Sequence, residues 1–379
     1  MAATTEDEPH SRAHLTSSER FWQDQSIWLK ECGYVLRPRF RTGWIPSWTG
    51  TDKNPANCED GLRQEVSQLM DARRVRDNTG VYLKRIDSRI FPHEHEIATY
   101  FSSEPLASDP RNHCVPILET LQVPNDSAAV IVVMPLLRRY AQPRFDTFGE
   151  VIDFFGQTFE GVKFMHDHNI AHRDCIGNNI MMDGSKMFPD GFHPIRYKAK
   201  QDMSGSAKFY TRTQRPPKYY LIDFGLSRKY ETRDPPPLER PIQGGDSNAP
   251  EFRLRENGRL PPEPCDPFPT DIYYLGRLIL ADFVEEYSGR GTNNHKYGFE
   301  FMKALADDMV GEDPAKRPTI DEVIERFTAI RSSLSSWKLR SRVIREKDFP
   351  NPSRPVKHWL RRIWYIICRT PSVPSYNKI

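Results

Sequence analysis

Apolar positions change their spacing along the chain. Between residues 67 and 134 they come in short runs. Ser67 to Val75 and Gly80 to Ile86 flank Arg76-Asp77-Asn78-Thr79, with Gly80 closing the turn, which predicts a β-hairpin. His93 to Phe101 predicts a short helix, and Ala128 to Met134 is an unbroken apolar run stopped by Pro135, as expected of a buried strand. Further on, the period becomes helical. Phe148, Val151, Ile152, Phe155, Phe159 and Val162 form one stripe, so a helix is predicted from Phe148 to Met165. Tyr219 to Phe224 is a second buried-strand candidate. Asp271 to Phe283 is apolar nearly all round and predicts a central buried helix. Phe299 to Met309 and Ile320 to Ile330 predict amphipathic helices, the latter opening after Pro318-Thr319. Strands come first and helices follow. The expected class is α+β, with a small sheet lobe and a larger helical lobe.

The flanks differ in character. Residues 1–18 are small and polar and read as a disordered leader, with no secretory signal. Residues 19–59 crowd Trp22, Trp28, Trp44 and Trp48 with Pro38 and Pro46, an extension suited to wrapping a neighbouring surface. A domain is expected over 60–331, its small lobe ending near 134 and its large lobe starting near 138, with a basic tail at 332–379. The formal charge of +3 hides an asymmetry: the tail holds eleven Lys/Arg against two acids, or +9, leaving −6 for the other residues. The 37% hydrophobic content excludes a wholly disordered chain, and no apolar run approaches the ~20 residues of a membrane span. The 6 cysteines form no CxxC pair, which points to a reducing, intracellular setting, cytoplasm and/or nucleus.

Candidate chemistry sits in three places. His172-Arg173-Asp174 follows the long helix, Asn179 comes shortly after, and Asp223-Phe224-Gly225 ends the second strand. A carboxylate and a carboxamide, with a second carboxylate at a strand end, can hold a hard divalent ion between phosphates. The first Asp is then free to accept a proton from a hydroxyl. Each piece alone reads better as a loop Asp capping a backbone. Their order says more. Lys84 closes Val81-Tyr82-Leu83-Lys84, and Glu94 opens the next helix. After the two motifs above come Ala249-Pro250-Glu251, Asp271 to Gly276, and Asp313-Pro314 to Arg317-Pro318-Thr319. Over roughly residues 60–330 the chain resembles the eukaryotic protein kinase superfamily, and as a whole it resembles divergent fungal kinase-like proteins.

The resemblance implies a bilobal kinase-like fold and roles for particular residues. Asp174 is implied as the catalytic base, with His172 and Arg173 in the same motif, and Asn179 and Asp223 as the metal-holding pair. Lys84, with Glu94 as its helix partner, is implied to hold the phosphates of ATP. Glu96 is the alternative partner but falls on another helix face. Met134 and Leu136 would lie beside adenine, with Met181 in the same pocket. Glu251 and Arg317 are implied as a buried structural pair, and Asp271 as an anchor of the catalytic loop. The implied cofactors are ATP and Mg²⁺, and the implied partners are protein substrates, possibly acidic, with no nucleic acid expected. The implied activity is transfer of the γ-phosphate to Ser/Thr hydroxyls of proteins.

Several positions depart from the family pattern. No glycine loop precedes Lys84, Tyr82 replaces a small residue above adenine, Ile176 replaces a lysine and Gly244 a threonine. An active and slow kinase, a pseudokinase scaffold acting by binding, and a small-molecule phosphotransferase all remain open, the last disfavoured by Glu251 with Arg317. Arg173 suggests control by a phosphorylated segment, with Thr232 and Ser247 as candidates. The link from Asn179 to Asp223 is unusually long. Its insertion, 183–216, carries Lys186, Arg196, Lys198, Lys200, Lys208, Arg212 and Arg215 against Asp183, Asp190 and Asp202. It is expected to form a basic, aromatic flap that selects acidic substrates. In the tail, Val356, Trp359, Leu360, Ile363, Trp364 and Ile367 recur at helical spacing. That helix is expected to dock on its own domain, with a membrane contact possible but disfavoured.

Overall fold

The computed structural model describes residues 12–242, 244–254, 262–285, 296–345, 348 and 353–376. The first eleven residues of the expected leader lie outside that set. The class is α+β, a curled antiparallel sheet and a helical part, consistent with a bilobal kinase-like fold. Two compact units divide the chain. Unit 1 holds the residues up to 90, 116–138 and 188–209, and unit 2 the remainder.

Unit 1 is built on five antiparallel strands: β1 (Tyr34–Leu36), β2 (Leu69–Arg74), β3 (Gly80–Asp87), β4 (Glu119–Gln122) and β5 (Ala129–Pro135), in the order β1-β2-β3-β5-β4. The β2–β3 hairpin pairs Leu69 with Lys84 and Arg73 with Gly80, and β3 pairs Tyr82 with Met134 and Lys84 with Val132. Alternation along β3 divides its side chains between two faces. Val81 and Leu83 point into a core made with Met70, Ile131 and Val133. The Trp/Pro-rich extension closes that core from outside. Its helices α1 (Ser17–Asp24) and α2 (Ser26–Glu31) contribute Trp22 and Leu29, and Phe40 follows.

A polar latch holds the extension down. Thr16 and Glu19 form a capping box at the start of α1, so residues 12–18 are tied to the fold and do not run free. Glu19 then pairs bidentately with the fully buried Arg39 at 3.0 Å, and Arg39 also donates to the carbonyls of Arg12, His14 and Asp60. A buried guanidinium is tolerable only when its donors are met, and here the chain itself meets them.

Unit 2 holds α3 (Glu94–Ser102), α4 (Phe148–Asp167), α5 (Phe268–Ile279), α6 (Lys303–Met309), α7 (Ile320–Ser333), α8 (Ser336–Leu339) and α9 (Ser353–Ile367). The predicted stripe on α4 is buried, and Phe155 and Phe159 meet Phe327 of α7 edge-on at 6.4 and 5.1 Å. A π-helical turn, Leu280–Val284, extends α5. Two short strands, Ile180–Met182 and Tyr219–Leu221, pair antiparallel at the two ends of the insertion.

The insertion is folded, and most of it belongs to unit 1. Arg138, almost fully buried, lies over the rings of Phe188, Phe192 and Tyr197 at 4.0, 4.3 and 5.4 Å and donates to the Tyr197 carbonyl. His193 reaches Glu59 at 3.5 Å, and Glu59 and Asp71 both hold Arg37. Burial alone would raise the Glu59 carboxyl, but hydrogen bonds from His193 and Arg37 outweigh it and hold it below the ordinary range. The end of the insertion belongs to unit 2. There Arg212 is buried over Phe145 at 4.2 Å, and Thr213 donates to Glu150.

Candidate active site

The candidate catalytic residues cluster in unit 2 around one buried carboxylate. Asp271, near the start of α5, has no exposed surface. It accepts the backbone N–H groups of His172 and Arg173 at 2.8 and 2.7 Å and bonds the His166 ring at 2.9 Å. Burial pushes its carboxyl up, yet these donors more than compensate and hold it below the usual range. An ionised anchor satisfied on every side fixes the path of the loop that carries Asp174.

His172 is fully buried and ties the loop to the strand before Asp223. Its Nδ1 accepts the Asp174 amide at 3.3 Å and its Nε2 lies 3.1 Å from the Ile222 carbonyl. The first contact needs an unprotonated Nδ1 and the second a protonated Nε2, so the two together select one tautomer. Because its ring is sealed from solvent, His172 acts by positioning its neighbours. Asn179 completes the loop, donating to the Asp174 carbonyl and to Asp174 Oδ2, both at 2.8 Å. The Ile222 N–H donates to the Asn179 carbonyl at 2.9 Å, which sets the next residue, Asp223, against the loop.

Asp223 adopts a left-handed backbone, φ 67° and ψ 75°. For a residue with a Cβ this costs about 1 kcal/mol, and Asp tolerates it better than most. Arg173 is left-handed too, at φ 67°. Backbone strain of this kind persists only where surrounding contacts impose it. Asp174 is nearly buried, and burial raises its carboxyl, with the Asp223 charge acting in the same direction. Its Oδ1 accepts the Asp246 amide at 3.3 Å, and a Cβ on Gly245 would stand 3.0 Å from the same atom. Neither Gly245 nor Asp246 stands out in the sequence, because both belong to a polar loop distant along the chain.

A carboxylate of Asp223 with the Asn179 carboxamide oxygen suits a hard cation and leaves Asp174 as the candidate base. Among the described residues no cluster of three or more His, Cys, Asp or Glu could hold a metal ion.

The other predicted site residues are distributed between the units. Lys84, Met134 and Leu136 belong to unit 1. Tyr82 and Met134 pair across β3 and β5, so they share with Lys84 the face opposite the core. Leu136 covers the start of β3 so closely that a Cβ on Gly80 would come within 2.8 Å of its Cδ2. Tyr82 reaches the insertion: its hydroxyl lies 3.5 Å from the Pro194 carbonyl, and burial, with Tyr197 nearby, raises its phenol well above the ordinary value. Glu94 and Met181 belong to unit 2. Glu94 is buried on the α3 face that carries Ile97 and Phe101, whereas Glu96 is exposed beside His93. Met181 pairs with Tyr220 in the short sheet.

Two supports surround the loop. Arg317 and Glu251 form a bidentate pair at 2.8 and 2.6 Å with both side chains buried, and Arg317 also donates to the carbonyls of Gly311 and Pro269. Arg173 donates to the carbonyls of Leu226 and Arg240 and lies 3.7 Å from Glu239. The expectation that Arg173 waits for a phosphate therefore meets a structure in which Glu239 already supplies the negative charge. Sequence reasoning missed Glu239, whose surroundings carry no motif.

No family model matches the chain. A protein of Acanthamoeba polyphaga mimivirus described as "Putative serine/threonine-protein kinase" is 24% identical over 197 residues, 48% of this chain. The match spans 57% of that relative's length. The chain is thus distantly similar to a protein described as a kinase, and its α+β fold class is consistent with that likeness.

Proposed function

We propose that the chain is a slow ATP-dependent protein kinase acting on Ser/Thr hydroxyls, with Asp174 as the base. The observation that carries this reading is the joining of Asp174, Asn179 and the strand before Asp223 by direct hydrogen bonds around the Asp271 anchor. Bound Mg·ATP would supply the transferable phosphoryl group and neutralise its charge. Asp174 Oδ atoms would orient a substrate hydroxyl and take its proton, and burial, which raises this carboxyl, makes it a better acceptor at neutral pH. Asn179 and Asp223 would offer oxygen ligands to the metal, and Lys84 would meet the phosphates. Met134 and Leu136 would flank adenine. Protein substrates, an intracellular setting and a domain over 60–331 belong to the same proposal.

A second reading, a scaffold that binds without catalysis, is favoured by Tyr82. Its ring stands on the sheet face that also carries Lys84, and insertion residues cover its hydroxyl. One pair of measurements separates the readings. Mg²⁺-dependent ATP binding and autophosphorylation are expected in the wild type. Asp174→Asn should remove the second, and Asp223→Asn should remove both with the thermal midpoint unchanged. Absence of nucleotide binding in the folded wild type would leave the scaffold.

A further inference from the structure

The tail helix α9 sits in unit 2 the opposite way round from a core helix. Its polar residues face inward. His358, Arg362 and Tyr365 are buried. The Tyr365 hydroxyl bonds Thr211 at 2.8 Å, Arg361 donates to Asp146 at 2.9 Å, and Arg362 donates to the Trp337 carbonyl at 2.8 Å. The chain beyond the helix is fastened as well. The Thr370 N–H donates to the Tyr365 carbonyl at 2.9 Å, Arg340 donates to the Thr370 carbonyl, and the Tyr376 hydroxyl donates to the Pro110 carbonyl at 2.6 Å.

The apolar side of α9 is left open. Leu360, Trp364 and Ile367 are 65%, 62% and 67% exposed, and Val356, Trp359, Ile363 and Ile366 are exposed beside them. At 100° per residue these seven side chains fill an arc of about 160°. Trp337 widens the patch. It is exposed, its ring lies 5.9 Å from that of Trp359, and Arg362 stacks over it at 3.5 Å. Monomeric surfaces rarely leave such a contiguous patch uncovered.

We propose that α9 is an interfacial anchor that lies in the surface of an anionic lipid bilayer. Three observations select this occupant. First, the exposed Lys357 borders the apolar arc, where its long side chain reaches headgroups while the apolar arc enters the acyl boundary, whereas Arg361 and Arg362 are held by Asp146 and the Trp337 carbonyl. Second, the charge is complementary: the tail carries +9 while the other residues sum to −6. A second copy of the same face would bring like charges together, which disfavours self-association. Third, two tryptophans lie within the arc, and tryptophan favours the membrane–water boundary. Among the described residues no helix is long and apolar enough to cross a membrane, so the contact is one of lying on the bilayer.

The test uses the full chain and vesicles of phosphatidylcholine, with or without phosphatidylserine. The wild type is expected to co-sediment with the anionic vesicles at low salt, and less in high salt or with phosphatidylcholine alone. Ile363→Asp with Trp364→Asp should weaken anionic-vesicle binding by at least ~10-fold, since charge would enter the acyl boundary. Lys357→Glu should weaken it more modestly and reduce its salt dependence. Both variants replace exposed residues, and unchanged melting curves would establish that they fold. Failure of the folded wild type to bind either vesicle would overturn the proposal. So would binding that the Ile363/Trp364 variant leaves intact. A dimer in sedimentation equilibrium that this variant dissolves, without vesicle binding, would assign the face to a second copy and overturn it too.

Discussion

Asp271 and Arg317 illustrate how single buried charges organise unit 2. Each is satisfied by two or more groups from different segments, so removal of either leaves partners unmet. Arg317→Ala would strand Glu251 in a buried setting, at a cost of about 3–5 kcal/mol. Its thermal midpoint should fall by many degrees, and a midpoint equal to wild type would refute the pairing as a source of stability. Lys296 is a different case. It is buried against the Phe283 ring at 4.0 Å, with the Asp282 carbonyl as acceptor, and burial lowers its ammonium to about 7 despite the Asp282 charge. The folded state therefore releases this proton near pH 7, while the unfolded chain keeps it until about 10.5. Between those values the unfolded state binds more protons, so this group makes stability rise with pH; below pH 7 its contribution is flat and unfavourable. Lys296→Met should stabilise the protein more at pH 6 than at pH 9.5. Equal gains at both would show that the amine is not desolvated in the fold.

At the scale of elements, the insertion and the tail both carry basic residues, but the fold uses them differently. Arg138, outside the insertion, closes over its Phe188, Phe192 and Tyr197, and within it Arg212 is buried with Phe145. Arg212 is structural, so the net positive count of the insertion overstates by that one charge what is available to a substrate. Arg138→Ala should cost about 2–4 kcal/mol, from the lost cation–π contacts and the unmet Tyr197 carbonyl. Denaturant melts would read it, and a loss below ~0.5 kcal/mol would mean that the aromatic cluster holds without its cation. Selection of acidic substrates by the insertion would fall to its exposed Lys186, Arg196, Lys198, Lys208 and Arg215. In the tail, helical spacing correctly indicates the helix. Spacing cannot say which side docks. Asp146, Thr211 and the Trp337 carbonyl attract the polar side, and the apolar side is left outward.

For the molecule as a whole, the question is whether unit 1 accepts a nucleotide. Tyr82→Ala removes the ring from the face that carries Lys84. If that ring hinders ATP, the variant should bind Mg·ATP roughly 10-fold more tightly, a gain of about 1.4 kcal/mol. Isothermal titration would measure it. Unchanged affinity would mean that the ring stands clear of the nucleotide, and loss of affinity would make it part of the site.

The sequence by itself determined the α+β class, the β2–β3 hairpin, the α4 stripe and the outward placement of Glu96. Those features depend on local periodicity, and periods of 2 and 3.6 residues are written directly in neighbouring positions. The order of Asp174, Asn179, Asp223, Glu251, Asp271 and Arg317 was equally legible, because those residues stand in short motifs. Tertiary structure decided the rest. It alone shows Glu239 beside Arg173, Gly245 and Asp246 against Asp174, and Tyr82 under the insertion. It also divides the insertion between two units and turns the apolar side of α9 outward. Each of these depends on which distant group satisfies a buried charge or hydrogen bond. That choice is made by contacts between residues tens to hundreds of positions apart, which no local pattern records.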